Sequence, residues 1–438
     1  MKNIGPMKIT SLGIQHVLAM YAGAVIVPLI VGGSLGLSAE QLTYLVSIDI
    51  MMCGIATLLQ LYRNKFMGIG LPVMLGCTFT AVFPMIAIGT EYGINSIFGS
   101  IMASGLIVML ISKFFGKLVR FFPPVVTGSV VTIIGITLIP VAINNLAGGQ
   151  GAEDFGSLTN LALGFGTLFV IIVLYKFSTG FLRAISVLVG LIIGTVAAFL
   201  MGMVDTQNIT DAAFFHVPTP FYFGMPTFEV TPIITMTLVA IVSLVESTGT
   251  YFALADITGR KLKEEDLEKG YRAEGFASIL GGLFNAFPYT TFSQNVGLLQ
   301  MSGVKTKKVI YVAAGFLILF GLVPKIGALT TVIPSAVIGG AMVAMFGMVI
   351  AAGIKILSQV NLASQENMFV VAISVAIGLG VTVVPDLFAQ LPESITILTS
   401  NGIVAGSVTA IVLNIVFNMI GKKKEEAIEP ATAERQAS

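Results

Sequence analysis

Apolar residues run through this chain in long unbroken stretches, whereas soluble proteins alternate apolar and polar positions at helix or strand periods. Residues 184–204 and 326–354, for example, contain no charged side chain. Each stretch reaches the roughly 20 residues that an α-helix needs to cross the hydrocarbon core of a bilayer. The pattern therefore predicts a membrane protein built from spanning helices.

Polar and charged clusters divide the sequence into about fourteen predicted spans, numbered here in chain order. They begin near residues 12, 39, 67, 95, 120, 160, 182, 230, 271, 288, 307, 327, 366 and 397. The prediction is an all-α polytopic membrane protein.

Lys and Arg occur in alternate connections between these spans. The basic positions are Lys2, Lys8, Arg63, Lys65, Lys113, Lys117, Arg120, Lys176, Arg183, those within 260–272, Lys305, Lys307, Lys308, Lys355 and those within 422–424. The intervening loops carry none except Lys325. Because basic residues concentrate on the cytoplasmic side, both termini are expected to be cytoplasmic. Residues 420–438, rich in Glu, Ala and Lys, are expected to form a disordered tail.

Two segments resemble each other, RFFPPVVTGSVVTIIG (residues 120–135) and TVIPSAVIGGAMVAMFG (residues 331–347). The spacing from Pro123 to Gly128 equals the spacing from Pro334 to Gly339. If the segments belong to spans 5 and 12, the repeat unit has seven helices, and an odd unit must insert its second copy upside down. A 7+7 inverted repeat is typical of secondary transporters.

Spans 3 and 10, seven spans apart, are both interrupted by proline and small polar residues. Their sequences are GIGLPVMLGCTFTAVFP (residues 68–84) and NAFPYTTFSQNVG (residues 285–297). Irregular backbone is tolerated inside a bilayer only where it is buried in protein or lines a cavity, so paired breaks predict a substrate site. Gln294 and Asn295 offer amide donors and acceptors there, and Gly297 permits close approach. The alternative is that these amides only hold helices together.

Two carboxylates lie inside predicted helices, Glu246 in span 8 and Glu274 in span 9. An ionised carboxylate costs at least about 2.5 kcal/mol to insert, so such residues usually mark substrate or proton pathways. The alternatives are a structural hydrogen bond for Glu246, and for Glu274 an interfacial charge near Arg272 that extends toward water. His16 in span 1 is a candidate for helix packing or for a role at the site.

Other function classes receive no support from the composition. The net charge is +1, which gives no indication of a nucleic-acid partner. Cys53 and Cys77 have apolar neighbours and indicate neither a disulfide framework nor a metal site. The spans contain no cluster of metal ligands and no nucleophile beside a base, so neither an enzyme nor a cofactor is expected. Membrane lipid is the expected environment.

The segment QNVGLLQMSG (residues 294–303) resembles the signature of the nucleobase/ascorbate transporter family. That signature reads Gln, Glu or Pro, then Asn, any residue, Gly, four residues, Thr, and Arg, Lys or Gly; Ser302 stands where Thr is usual. The resemblance extends over nearly the whole chain, through His16, Glu246 and Glu274, and the bacterial xanthine permeases are the most similar members.

The resemblance implies a core domain (residues 1–118 and 230–325) and a gate domain (residues 119–229 and 326–419). Short extended segments in spans 3 and 10 would face each other at the substrate site. A homodimer formed through the gate domain is compatible with the resemblance.

It also implies roles for individual residues. Glu246 and Gln294 would hydrogen-bond the base, supported by backbone near Phe79 and from Asn295 to Gly297. Glu274 would take part in proton coupling, with Glu246 as the next candidate, and His16 would orient the site.

The implied function is proton-coupled uptake of a purine nucleobase, above all xanthine, across the cytoplasmic membrane. Family members selective for uracil tend to have Glu where this chain has Gln294, and some have His where it has Thr250. An acceptor beside an amide suits the imide-like edge of xanthine. Two alternatives stay open: a urate or uracil symporter of the same family, and an anion transporter or channel of related fold. A membrane-embedded enzyme is disfavoured, because the spans contain neither a cluster of metal ligands nor a nucleophile beside a base. Carriers of the anion type usually bear a soluble C-terminal domain, and about twenty residues follow the last predicted span.

Overall fold

The computed structural model describes residues 5–118, 122–391, 399 and 401–420. The predicted disordered tail, residues 420–438, falls almost wholly outside these described residues.

Helices make up most of the described chain. In order they are α1 (Pro6–Ser34), α2 (Ala39–Leu61), α3 (Val82–Tyr92), α4 (Ile94–Leu118), α5 (Pro124–Leu146), α6 (Leu158–Phe177), α7 (Gly180–Ala184), α8 (Ser186–Leu200), α9 (Gln207–Asp211), α10 (Val230–Thr258), α11 (Glu264–Leu283), α12 (Ser293–Ser302), α13 (Lys307–Gly321), α14 (Pro324–Thr331), α15 (Ser335–Leu357), α16 (Gln365–Val383) and α17 (Gly402–Asn414). Two strands, β1 (Leu75–Cys77) and β2 (Tyr289–Thr291), interrupt them, and short 3-10 turns lie at Phe79–Ala81 and Pro385–Phe388. A π-helical turn (Ile415–Met419) follows α17.

Fourteen spans can be assembled from the described residues, as predicted. Nine are single helices long and apolar enough to cross a membrane, namely α1, α2, α4, α5, α6, α10, α15, α16 and α17 with its π turn. A tenth is α13, whose continuation α14 bends away by 78°. The others are the apolar but shorter α8, the partly charged α11, and the two interrupted units β1–α3 and β2–α12. Span 12 begins at Ser335 rather than near 327, because Pro324 begins the separate short helix α14 and Pro334 precedes α15.

The two interruptions meet as a small antiparallel sheet. Leu75 pairs with Thr291, Gly76 with Thr290 and Cys77 with Tyr289, and both strands are fully buried. Backbone bonds extend the ladder on either side, from Thr78 N–H to the Pro288 carbonyl (2.9 Å) and from Phe292 N–H to the Met74 carbonyl (3.0 Å). Each broken span thereby satisfies the backbone of the other, which is what a bilayer requires of non-helical chain.

The inverted repeat is visible in how α5 packs against α15. Each residue of α15 lies 211 positions after its counterpart in α5, and both helices have 23 residues. A Cβ on Gly128, near the start of α5, would lie 2.7 Å from the side chain of Leu357 at the end of α15. Gly339 is the counterpart of Gly128, and a Cβ there would lie 2.0 Å from the backbone nitrogen of Leu146, the counterpart of Leu357. The same contact thus occurs twice, related by a two-fold axis.

Close approach at glycine also joins other helix pairs. A Cβ on Gly54 of α2 would lie 2.7 Å from the Ala314 carbonyl of α13, and one on Gly105 of α4 would lie 2.6 Å from the Gly275 carbonyl of α11. In a membrane, where hydrocarbon is as apolar as the side chains, such backbone proximity supplies the packing attraction between helices. This explains much of the glycine content, 48 residues in the chain.

We expect Gly339→Ala to destabilise the protein, because the added methyl group would overlap the backbone of α5. Overpacking of this kind typically costs about 1 to 3 kcal/mol. The matched control is Gly347→Ala in the same helix, where a Cβ would meet nothing within 4 Å. Thermal unfolding in detergent should show a lower midpoint for the first variant only, and equal midpoints for the two would contradict the packing argument.

Candidate functional site

The candidate site lies where β2 passes into α12. Phe292 caps the helix with extended backbone, and Ser293 and Gln294 follow as exposed residues in its first turn. Gln294 makes no side-chain hydrogen bond to any residue that the structure describes. Gly297 is half-buried, and a Cβ there would meet nothing within 4 Å, so this glycine faces open space instead of a packed helix.

Asn295 serves a different purpose from Gln294. It is buried, and its Nδ2 donates to the His16 carbonyl (2.9 Å) and lies 3.0 Å from Nδ1 of the same histidine. These contacts tie α12 to α1. If Nδ2 donates to Nδ1, the imidazole carries its proton on Nε2. The expectation that amides hold helices together therefore fits Asn295, and His16 is the partner that receives it.

Glu274 is buried in α11 and accepts hydrogen bonds from two hydroxyl groups of α10. Ser247 donates to its Oε2 at 3.0 Å, and Tyr251 donates to its Oε1. Arg272 does not pair with it but bonds to Glu268 and, through Nε, to Ser112 (3.2 Å). The alternative of an interfacial charge reaching toward water does not describe this residue.

Glu246 and Phe79 lie on two elements that contact each other, α10 and the 3-10 turn after β1. Glu246 is half-buried on α10, one residue before Ser247, and its carboxylate makes no hydrogen bond within the described ranges. Phe79, in the 3-10 turn after β1, packs edge-on against Phe346 of α15 with ring centroids 5.4 Å apart. This aromatic contact joins the first interrupted span to the helix pair α5–α15.

Sequence reasoning missed Asp49, which is fully buried in α2. Its Oδ1 accepts the backbone N–H of Phe287 at 3.1 Å, immediately before Pro288 and β2. Asp49 therefore fixes the approach to the second strand. The signal was present in the sequence, since Asp49 is an isolated carboxylate in an apolar run and the cost argument used for Glu246 applies to it equally.

Comparison with known proteins identifies the family. The model of the group described as "Permease family" matches residues 7–387. Xanthine permease of Bacillus subtilis (strain 168) is 65% identical over 431 residues, 98% of each chain. Uric acid permease PucK of the same organism is 62% identical over 411 residues, 94% of this chain and 96% of the other. This chain belongs to the nucleobase/ascorbate transporter family. It is a multi-pass membrane transporter of nucleobases and not an enzyme.

Solved structures show that the fold of this nucleobase transporter extends beyond its family. The transmembrane domain of the cyanobacterial bicarbonate transporter BicA superposes with a TM-score of 0.60 at 16% identity, over 94% of this chain and 97% of that one. SLC26A9 gives a TM-score of 0.60 at 11% identity, over 92% of this chain and 65% of that one. The 7+7 inverted-repeat fold predicted from the sequence is confirmed.

Ion pairs around Asp266 of α11 join this helix to the residues that follow α2 and α10. Its Oδ1 accepts from Arg63 (2.5 Å), just after α2, and from Arg260 (2.8 Å), just after α10. Arg260 also donates to the Ile69 carbonyl (2.9 Å), in the segment that leads into β1. These contacts hold the connection between α10 and α11 against the first interrupted span.

We expect Asp49→Ala to lower both stability and uptake, because the buried N–H of Phe287 loses its acceptor at a cost of about 1 to 3 kcal/mol. Asp49→Asn is the matched control, since an amide oxygen can still accept that N–H. Thermal unfolding and nucleobase uptake are measured on both variants, and the Ala variant alone should show a lower unfolding midpoint and lower uptake. Loss of uptake in the Asn variant at normal stability would assign a role to the charge of Asp49 and would contradict a purely positional one.

Proposed function

We propose that this transporter takes up xanthine in symport with protons, across the cytoplasmic membrane and with both termini in the cytoplasm. The 65% identical xanthine permease supports the substrate, and the alternation of basic loops supports the orientation. Urate is the second candidate, because relatives at 62% and 44% identity are uric acid carriers, PucK of Bacillus subtilis and UacT of Escherichia coli.

The observation that carries the proposal is the position of Gln294. It follows β2 directly and opens α12, while its neighbour Asn295 is engaged with His16. Half-helices that begin at a break direct the positive end of their dipole toward a substrate site. Gln294 is therefore the amide that remains available to hydrogen-bond a nucleobase, as donor and as acceptor.

Glu246 is proposed to accept the ring N–H groups of the base. It lies on α10, which packs against α12, and its carboxylate is free of protein partners in the described part of the chain. Xanthine presents N–H donors beside carbonyl acceptors, which suits a carboxylate and an amide acting together. A base with the wrong pattern would leave buried polar groups unpaired, at about 1 to 3 kcal/mol each. Phe79, Gly297 and the backbone from Asn295 onward would complete the site.

The core and gate domains are proposed with the boundaries predicted from the sequence. In support, α5 packs against α15, α16 and α17, and α6 against α8 and α15, while α2 packs against α13 and α4 against α11. Two details favour shifting the boundaries. Thr219, Phe221 and Phe223 bond to Tyr44, Leu283 and Asn285 of the core elements, and α14 packs against α2. A homodimer through the gate domain stays a prediction.

Glu274 is proposed to bind and release the coupling proton. A carboxylate inside a membrane protein can load a proton in one conformation and release it in another as its access to water changes. A cavity of about 20 Å³ beside Glu274, also lined by Ser243, Ser278 and Tyr289, has room for one water molecule.

Anion transport, the alternative from another class, is favoured only by the shared fold with BicA and SLC26A9. At 11–16% identity that likeness concerns architecture, whereas the family assignment concerns nucleobases.

Uptake of radiolabelled xanthine into proteoliposomes tests the proposal. An imposed pH gradient, acidic outside, should drive accumulation above equilibrium, and unlabelled xanthine and urate should compete better than uracil. Stronger competition by urate than by xanthine would identify urate as the preferred substrate. Uptake that does not depend on the pH gradient would contradict proton coupling.

Glu246→Gln should be the most damaging single substitution at the site, because it turns one acceptor into a donor while keeping the size of the side chain. We expect xanthine uptake to fall by about tenfold or more, as for a lost charge-assisted hydrogen bond. Glu229→Gln, at the exposed start of the same helix, is the control. Normal uptake by a Glu246→Gln protein of normal abundance would show that this carboxylate does not bind the base.

Glu274→Gln should separate exchange from accumulation, because the amide mimics a permanently protonated carboxyl. Counterflow of xanthine should persist while pH-driven accumulation fails. Both activities are measured on the same vesicles, with Glu265→Gln on the exposed face of α11 as the control. Full pH-driven accumulation by the Glu274→Gln variant would transfer the coupling role to another residue, with Glu246 the first candidate.

A further inference from the structure

Gln60 is a fully buried amide on α2 whose orientation is fixed by three partners. Its Oε1 accepts the backbone N–H of Ile69 (3.1 Å), and its Nε2 lies 2.8 Å from the Gly270 carbonyl and 2.7 Å from the Tyr251 hydroxyl. The reversed amide would place oxygen against the Gly270 carbonyl and nitrogen against the N–H of Ile69. Only the first orientation satisfies all three groups.

This orientation determines where the hydroxyl proton of Tyr251 goes. Gln60 Nε2 can only donate to the phenolic oxygen, and Oε1 of Glu274 is the acceptor within reach of that hydroxyl among the described residues, so the hydroxyl proton of Tyr251 is donated to Oε1. The oxygen Oε1 of Glu274 is therefore committed to accepting. A proton that binds to this carboxyl is directed to Oε2, the oxygen that faces Ser247.

Ser247 stands between Glu274 and the second strand, and it is fully buried. Its Oγ accepts the backbone N–H of Thr291 (3.3 Å) and lies 3.0 Å from Oε2 of Glu274 and 3.2 Å from Oγ1 of Thr290. A serine has a single hydroxyl proton, so it can donate to Glu274 or to Thr290 but not to both.

We propose that Ser247 is a positioning residue that transmits the protonation state of Glu274 to β2. With Glu274 ionised, Ser247 donates to Oε2 and Thr290 donates to Ser247. When a proton from water binds Oε2, the neutral carboxyl donates to Ser247, which turns its own proton to Thr290. One O–H bond forms on the carboxylate with the proton taken from the aqueous medium, no other covalent bond forms or breaks, and the two hydrogen bonds of Ser247 reverse their direction. Thr290 changes from donor to acceptor three residues before α12 begins, in the strand that leads to Gln294.

The other ionisable groups around Glu274 are known from the structure. Glu246 and Tyr251 face it from α10, Tyr271 from its own helix and Tyr289 from β2. Helix α4, which also packs against α11, presents the non-ionisable residues Gly105 and Val108. Both hydroxyl donors to the carboxylate come from α10, so α10 carries the substrate carboxylate and the proton relay together.

This inference rests on the proposed coupling role of Glu274, and the experiment distinguishes failure of the relay from failure of that coupling role. Xanthine counterflow and pH-driven accumulation are measured in the same proteoliposomes for Ser247→Ala, Ser247→Thr and Tyr251→Phe. The control is Ser104→Ala, a buried hydroxyl on α4, the helix that packs against α11; in the described part of the chain this hydroxyl bonds to the Ile101 carbonyl of its own helix (3.0 Å).

Ser247→Ala should keep the rate of xanthine counterflow within about twofold of that of the unaltered protein. Its pH-driven accumulation of xanthine should fall about tenfold, a change within the range usual for the energetic coupling of two sites in a protein. Ser247→Thr retains the hydroxyl and should restore coupling. Tyr251→Phe removes the hydroxyl that donates to the ionised carboxylate of Glu274, so the ionised form is less stabilised and Glu274 should keep its proton up to a higher pH. The midpoint of its pH profile should move upward by about one unit.

The outcomes distinguish the two proposals. If Glu274→Gln is uncoupled while Ser247→Ala accumulates xanthine as well as Ser104→Ala does, the relay is wrong and the coupling role of Glu274 stands. If Glu274→Gln accumulates normally, the coupling role and the relay both fall. Should Ser247→Ala not reach the membrane, an unchanged pH profile in Tyr251→Phe would overturn the directed protonation on which the relay depends.

Discussion

The fold depends on a six-residue sheet in which two pieces of broken helix satisfy each other's backbone. Within a bilayer neither β1 nor β2 could find water for its N–H and C=O groups, so each would be costly alone. Their pairing, Cys77 with Tyr289 and Leu75 with Thr291, makes both breaks tolerable at once. It also leaves α3 and α12 as half-helices that each begin within a few residues of the sheet. The candidate site exists because this pairing removes the need for continuous helices there.

Symmetry explains how such a pairing can arise from one repeated unit. An inverted repeat places equivalent segments antiparallel across a two-fold axis, which is the geometry that an antiparallel ladder requires. The contacts of Gly128 with Leu357 and of Gly339 with Leu146 are reciprocal in the same way. The chemistry of the two copies has nevertheless diverged, since the second interrupted span supplies Gln294 and Asn295 while the first supplies Thr78 and Phe79.

The sequence was sufficient for the spans, for their two breaks and for the presence of Glu246 and Glu274 inside helices, because each is visible as a local run of apolar residues or as a local departure from one. It was insufficient wherever function depends on partners far apart in the chain. Gln60 and Tyr251 are 191 residues apart, and no local signal indicates that one orients the other. The sequence also could not show whether Gln294 or Asn295 hydrogen-bonds to another part of the protein, since both side chains carry the same amide group. The orientation of α12 decides it, because it buries Asn295 against His16 and leaves Gln294 exposed. Pro324 in α14 shows the same limit, because hydropathy alone cannot reveal a 78° bend.

The link between α14 and α15 has a mechanical consequence. Helix α14 packs against α2, whereas α15 packs against α5, and only residues 332–334 connect them. Three residues span at most about 10 Å when fully extended, so this link has little slack. Residues 201–213, between α8 and the loop fastened to Leu322 and Lys325, form a longer connection that includes α9. A displacement of the α5–α15 helices relative to α2 would therefore be more restricted near Pro334 than near Leu200, where the connection is longer.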